Sequence, residues 1–150
     1  MRFWDASAVV PLLVTERTTQ PLMALLKDDT AMVVWWGTAV ECASAVARLE
    51  RAGESTASAV RGAFESLELL RASWIEIAPS DAARERASRL LRVHPLRAAD
   101  ALQLAAALEW TAGAPEGHQA VTLDVRLSAA MAREGLTTLP GDLPIFGDAH

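Results

Sequence analysis

The chain has 150 residues, 51% of them hydrophobic, enough for one domain with a sizeable core. Nineteen acidic against fourteen basic residues leave a net charge of −5, which argues against a generic cationic nucleic-acid binder and against a polybasic membrane-surface protein. A single cysteine, Cys42, and three histidines without ligand spacing exclude a disulfide framework and a cysteine-based zinc knuckle. No apolar run approaches the ~18 residues of a membrane span and no signal-peptide pattern opens the chain, so the expected compartment is the cytoplasm.

Arg2-Phe3-Trp4 reads as a short strand ending at Asp5. Helix character follows from Ser7, with Asp5 or Ser7 as cap and Pro11 near the first turn. A second helix through Leu22–Leu26 starts from Thr18 to Pro21. The β-branched and aromatic run Ala31–Trp36 predicts a buried strand, broken by Gly37. Thr38 to Ala52 reads as helix, with Cys42, Val46 and Leu49 on one stripe and Gly53 as the stop. Another long helix spans Ser55 to Ala72, and Trp74–Ile77 alternates like a strand. Ser80 caps a helix over Asp81–Val93, and Arg97–Trp110 is an apolar helix. A glycine-containing loop, 112–119, leads into a strand at Ala120–Thr122. A helix through Met131 and a last strand at Leu136–Leu139 complete the pattern, with an irregular tail over 141–150.

Strands alternating with helices predict one α/β domain over 1–150, a mostly parallel sheet of four or five strands flanked by helices. Such sheets bind ligands at the carboxyl ends of their strands, around a topological switch point. Four acids fall at that edge. Asp5 and Asp124 end strands, while Glu41 and Asp100 lie in the first turns of helices. Each has an ordinary explanation. Asp5 and Asp124 suit helix N-caps, Thr38-x-x-Glu41 matches a capping box, and Asp100 complements a helix dipole. Caps need not converge in space, however, and three of these acids sit in apolar segments with no lysine nearby. A divalent cation relieves the crowding, and all-oxygen ligands favour Mg²⁺ or Mn²⁺ over zinc. Such an ion activates water for phosphodiester hydrolysis.

The segments Arg2–Val10, Glu41–Arg48, Arg97–Ala105 and Val121–Leu127 resemble those of PIN-domain proteins, and most nearly the VapC toxins of bacterial type II toxin–antitoxin modules. Order, spacing and apolar context agree over nearly the whole chain. The resemblance implies a three-layer sandwich and a Mg²⁺- or Mn²⁺-dependent endoribonuclease toxin acting through metal-activated water. It also implies a small cognate antitoxin and a homodimer, with RNA as substrate, for which a single-stranded loop is the expected site. It makes Asp5 and Asp100 the principal metal ligands, with Glu41 and Asp124 holding a second metal or its waters. Ser7 and Thr122 become hydroxyl donors that orient the carboxylates. Arg97, one turn before Asp100, is a candidate phosphate contact. Trp35-Trp36-Gly37 departs from the small polar residues expected ahead of the glutamate. A non-catalytic RNA- or protein-binding module of the same fold is the alternative.

Other features have plainer readings. Cys42 reads as a buried thiol without a histidine partner, and His94 as a helix-end residue meeting terminal carbonyls. The arginines from Arg84 to Arg92 read as a salt-bridged, solvated face. The helices between Thr38 and Ala72 carry more apolar face than one sheet needs, which suggests a dimer or antitoxin groove.

Overall fold

The computed structural model describes residues 1–141; the tail expected to be irregular falls, from residue 142 on, outside them. The elements in chain order are β1 (Arg2–Trp4), α1 (Ala6–Leu13), α2 (Thr19–Lys27), β2 (Met32–Trp35), α3 (Thr38–Arg51) and α4 (Ala57–Ser73), followed by β3 (Ile75–Ile77), α5 (Asp81–Val93), α6 (Ala98–Trp110), β4 (Gln119–Val121), α7 (Val125–Arg133) and β5 (Thr137–Leu139). The five strands form one sheet in the order β3-β2-β1-β4-β5, with every neighbouring pair parallel. The α/β class and the parallel sheet agree with the sequence reading.

Alternate strand residues face opposite layers, as the period of two requires. Phe3, Val33, Trp35 and Ala120 pack with residues of α5, α6 and α7. Trp4, Met32, Val34 and Val121 pack with α1 to α4. Both faces are covered, so the central strands read as continuous apolar runs rather than as alternating ones. α6 is enclosed on nearly all sides, from Ala101 through Leu108, and truncating Leu104 at its centre would cost about 2–5 kcal/mol.

Local chemistry explains the element ends. Ser80 and Thr56 accept from the backbone N–H groups of Ala83 and Ala59, capping α5 and α4. Pro11 lies in the second turn of α1 rather than the first, because Asp5, not Ser7, is the cap. His94 also differs from expectation. Its backbone N–H bonds the Leu90 carbonyl, but its side chain reaches across to Glu134, Nε2 to Oε1 at 2.7 Å. Arg86 likewise ties α5 to α6 through Glu109 at 2.9 Å. No helix among the described residues is long and apolar enough to cross a membrane.

Candidate functional site

The chain leaves β1 for one side of the sheet and β4 for the other, so the crevice of this fold opens at their carboxyl ends. Asp5 follows β1 and Asp124 follows the turn after β4. α3 brings Glu41 and α6 brings Asp100, each in a first helical turn. The four acids influence one another electrostatically: Asp5 with Glu41 and Asp100, Glu41 with Asp100, and Asp100 with Asp124.

Asp5 is 3% exposed and caps α1. Its Oδ2 accepts from three donors: Ser7 N at 3.3 Å, Thr122 Oγ1 at 2.8 Å and, in a short bond, Ser7 Oγ. Among the described residues, none donates to Oδ1. Ser7 Oγ accepts in turn from Leu123 N at 2.9 Å, and Thr122 Oγ1 from Asp124 N at 3.1 Å. Two hydroxyls thus tie the start of α1 to the turn before α7 and fix the orientation of the Asp5 carboxylate. Burial nonetheless raises the Asp5 pKa, against those hydrogen bonds and with the Asp100 charge adding to it.

Glu41 does not complete a capping box. Gly37 is the cap of α3 and makes no side-chain cap bond, so Thr38 already belongs to the helix. The hydroxyl of Thr38 faces the interior, where Gln103 Nε2 donates to it at 3.0 Å and to Glu41 Oε1 at 3.0 Å. Gln103 is fully buried in α6, three residues after Asp100, and its Oε1 has no hydrogen-bond partner. Burial, then the charges of Asp5 and Asp100, raise Glu41 from 4.5 to about 7, against the Gln103 bond that lowers it. Neither Gln103 nor Thr38 is marked by the sequence as a site residue. Only the packing of α6 against α3 brings the amide onto the glutamate.

Asp100 and Asp124 line the other half. Asp124 caps α7, its Oδ1 accepting from Leu127 N at 2.7 Å. Asp100 is raised by burial and by the charge of Asp124, against a bond from the Arg97 backbone and the positive fields of Arg97 and Arg126. Both guanidinium side chains are exposed, and Arg126 carries no signal in the linear pattern. The acids at the opposite edge of the sheet behave differently. Asp28 pairs with Arg2 at 2.9 Å, and Asp29 takes the terminal amine at 3.3 Å and Trp4 Nε1 at 2.8 Å. Among the described residues, none of Asp5, Glu41, Asp100 and Asp124 has an ion pair within 4 Å. Cys42 beside Glu41 is buried, its thiol pushed up to about 12 by burial and then by Glu41 and Asp5, so it is no nucleophile at neutral pH.

As the side chains stand, no three acidic, histidine or cysteine groups among the described residues form a cluster that could hold one ion. The donor chemistry nevertheless fits a hard divalent cation: oxygen donors only, raised carboxylates that form no ion pair within 4 Å among the described residues, and an Asp5 Oδ1 that no donor among those residues occupies.

No family model and no curated protein matches the sequence. Among solved structures the chain is similar to FitAcB from Neisseria gonorrhoeae, with a TM-score of 0.64 and 15% identity over 92% of this chain and 96% of that one. It is also similar to a toxin–antitoxin complex from Klebsiella pneumoniae, with a TM-score of 0.62 and 15% identity over 97% and 98%. The fold is PIN-like. In this chain Asp5 and Asp124 follow β1 and β4 at the crevice between those strands.

Proposed function

We infer that the chain is a Mg²⁺- or Mn²⁺-dependent endoribonuclease, the toxin component of a toxin–antitoxin module. The observation that carries this reading is the set of four carboxylates from four separate elements, coupled through their charges at the carboxyl edge of the sheet and, among the described residues, with no ion pair within 4 Å. A purely structural role would leave such acids solvated or paired, as Asp28 and Asp29 are. The similarity to a toxin–antitoxin complex supports the biological setting.

Asp5 and Asp100 would be the main ligands of the cation, with Glu41 and Asp124 contributing further oxygens or holding its waters. When bound, the cation supplies positive charge to the scissile phosphate and a water of lowered pKa. The residues of the chain do the rest. Ser7 and Thr122 occupy Asp5 Oδ2 and thereby present Oδ1 to the crevice. Gln103 steadies Glu41 through Oε1, so that Oε2 remains to orient or take a proton from the attacking water. Arg97 and Arg126 face the phosphodiester charge beside Asp100. Attack on phosphorus by water leaves a 5′-phosphate and a 3′-hydroxyl.

A small antitoxin and a second copy of the chain are the protein partners of this reading. α4 offers apolar surface for one of them, where Phe64 and the exposed Leu69 line a groove of about 710 Å³ with Arg61, Glu65 and Glu68. The reading is tested by incubating RNA with the protein and Mg²⁺ or Mn²⁺. Cleavage by the parent and none by Asp100→Ala or Asp5→Ala, each still folded by circular dichroism, are the expected results. Parent-rate cleavage by either variant would overturn the assignment. A folded parent that binds no divalent cation by calorimetry would instead favour a non-catalytic RNA- or protein-binding module.

A further inference from the structure

The carboxyl edge of the sheet carries an aromatic side chain that the carboxylate chemistry does not use. Trp36 follows β2 directly and is 54% exposed, although an indole is among the largest apolar groups a fold can bury. Strand register fixes its place. β1 and β2 pair in parallel with Phe3 opposite Val33, so Asp5 falls level with Trp35 at the end of the neighbouring strand, roughly 5 Å away, and Trp36 is the next residue beyond that end.

The ring is held by its surroundings. The Trp36 backbone N–H donates to the Ile77 carbonyl at 3.0 Å. Its indole stands edge-on to buried Trp35, with centroids 6.4 Å apart and planes at 72°. Trp35 itself closes over the following turn: a Cβ on Gly37 would meet its Nε1 at 2.6 Å. Exposed Val40 stands one residue before Glu41, and exposed Arg97 and Arg126 direct positive charge at Asp100. An exposed aromatic side chain and exposed arginines at the same carboxyl edge of the sheet are complementary to a single nucleic-acid strand, which offers bases for stacking and phosphates for pairing.

Resting on the ribonuclease reading, we propose that Trp36 is a stacking platform for one unpaired base of single-stranded RNA, seating the adjoining backbone across the carboxylates. Bases inside an A-form duplex are stacked on their neighbours and cannot use the ring, so the platform selects loops, ends and unpaired stretches. Every base offers a π face, so this contact carries little sequence preference.

The test uses the full chain in EDTA, where RNA is bound but not consumed. An unstructured, labelled oligoribonucleotide of ten nucleotides is titrated by anisotropy, and unlabelled RNA by tryptophan fluorescence. Trp36→Ala should weaken single-strand binding about ten-fold or more, and Trp36→Phe should retain most of it. Trp36→Leu, which keeps bulk without a π face, should bind as weakly as the alanine variant, guarding against a mere loss of fold. The quenching seen in the parent should vanish in Trp36→Phe, and affinity for the matching duplex should not respond to any of these changes. Equal affinity of Trp36→Ala and the parent, or a fluorescence signal that RNA leaves unmoved, would overturn the proposal. Cleavage is read separately with Mg²⁺. A parent that binds through Trp36 but does not cut sinks the ribonuclease reading alone, whereas one that cuts while Trp36→Ala binds normally sinks the platform alone.

Discussion

Replacing Glu41 by glutamine in the metal-free protein should make the fold more stable at pH 8 and leave it nearly unchanged at pH 5. The reason is the position of the carboxyl: burial and the charges of Asp5 and Asp100 raise it from 4.5 to about 7. Between those values the folded chain holds a proton that the unfolded chain has released, so stability falls as pH rises through that window and levels off above it. At about 1.4 kcal/mol for each pH unit, the interval sets a ceiling of about 3 kcal/mol. Glu41 is only partly buried, and solvent screening reduces the figure to about 1–2 kcal/mol. For a domain of this size that is roughly 3–6 °C in melting temperature. Glutamine keeps an acceptor for Gln103 and removes the charge. The assay is thermal unfolding in EDTA at both pH values. A variant no more stable than the parent at pH 8, or a difference independent of pH, would refute the reasoning.

Two further substitutions address the support of the carboxylates. Thr122→Val removes the donor to Asp5 Oδ2 and the acceptor for Asp124 N; it should cost about 1–3 kcal/mol in chemical unfolding and weaken Mn²⁺ binding about 10–100-fold by calorimetry. Gln103→Leu removes the bond that lowers the Glu41 pKa, so a carboxyl titration followed by NMR should move to higher pH. Stability should fall little, because the same change also removes the unpaired Gln103 Oε1.

Much of this fold is legible because its strands are short apolar runs set between helices with recognisable caps. Ser80 and Asp81–Val93 are the clearest case: a serine just before a periodic stretch has few other roles. The four acids are also legible, since Asp5 and Asp124 mark strand exits and Glu41 and Asp100 mark helix starts. What the linear pattern lacks is phase and cross-element contact. Thr38-x-x-Glu41 carries the letters of a capping box, but the helix begins one residue earlier and turns the threonine into the core. Gln103 looks like one polar residue on an apolar helix until α6 is laid against α3. For Asp5 and Asp124, cap and site are not rival readings. Each spends one oxygen on the backbone, Asp5 Oδ2 and Asp124 Oδ1, and a carboxylate has two.

The net charge of −5 that argues against a nucleic-acid partner is largely these four acids. The rest of the chain is close to neutral, so on the ribonuclease reading RNA affinity would come from a few placed groups, the exposed arginines and the Trp36 ring, with the cation adding to it when bound, rather than from a broad basic face.

The most direct test of the ribonuclease account is the chemistry of the cut ends, read on RNA cleaved by the parent with Mg²⁺ or Mn²⁺. Attack by water predicts 5′-phosphate and 3′-hydroxyl termini, and cleavage that stops in EDTA and returns with the cation. Fragments ending in 2′,3′-cyclic phosphate, formed at an undiminished rate in EDTA, would contradict it.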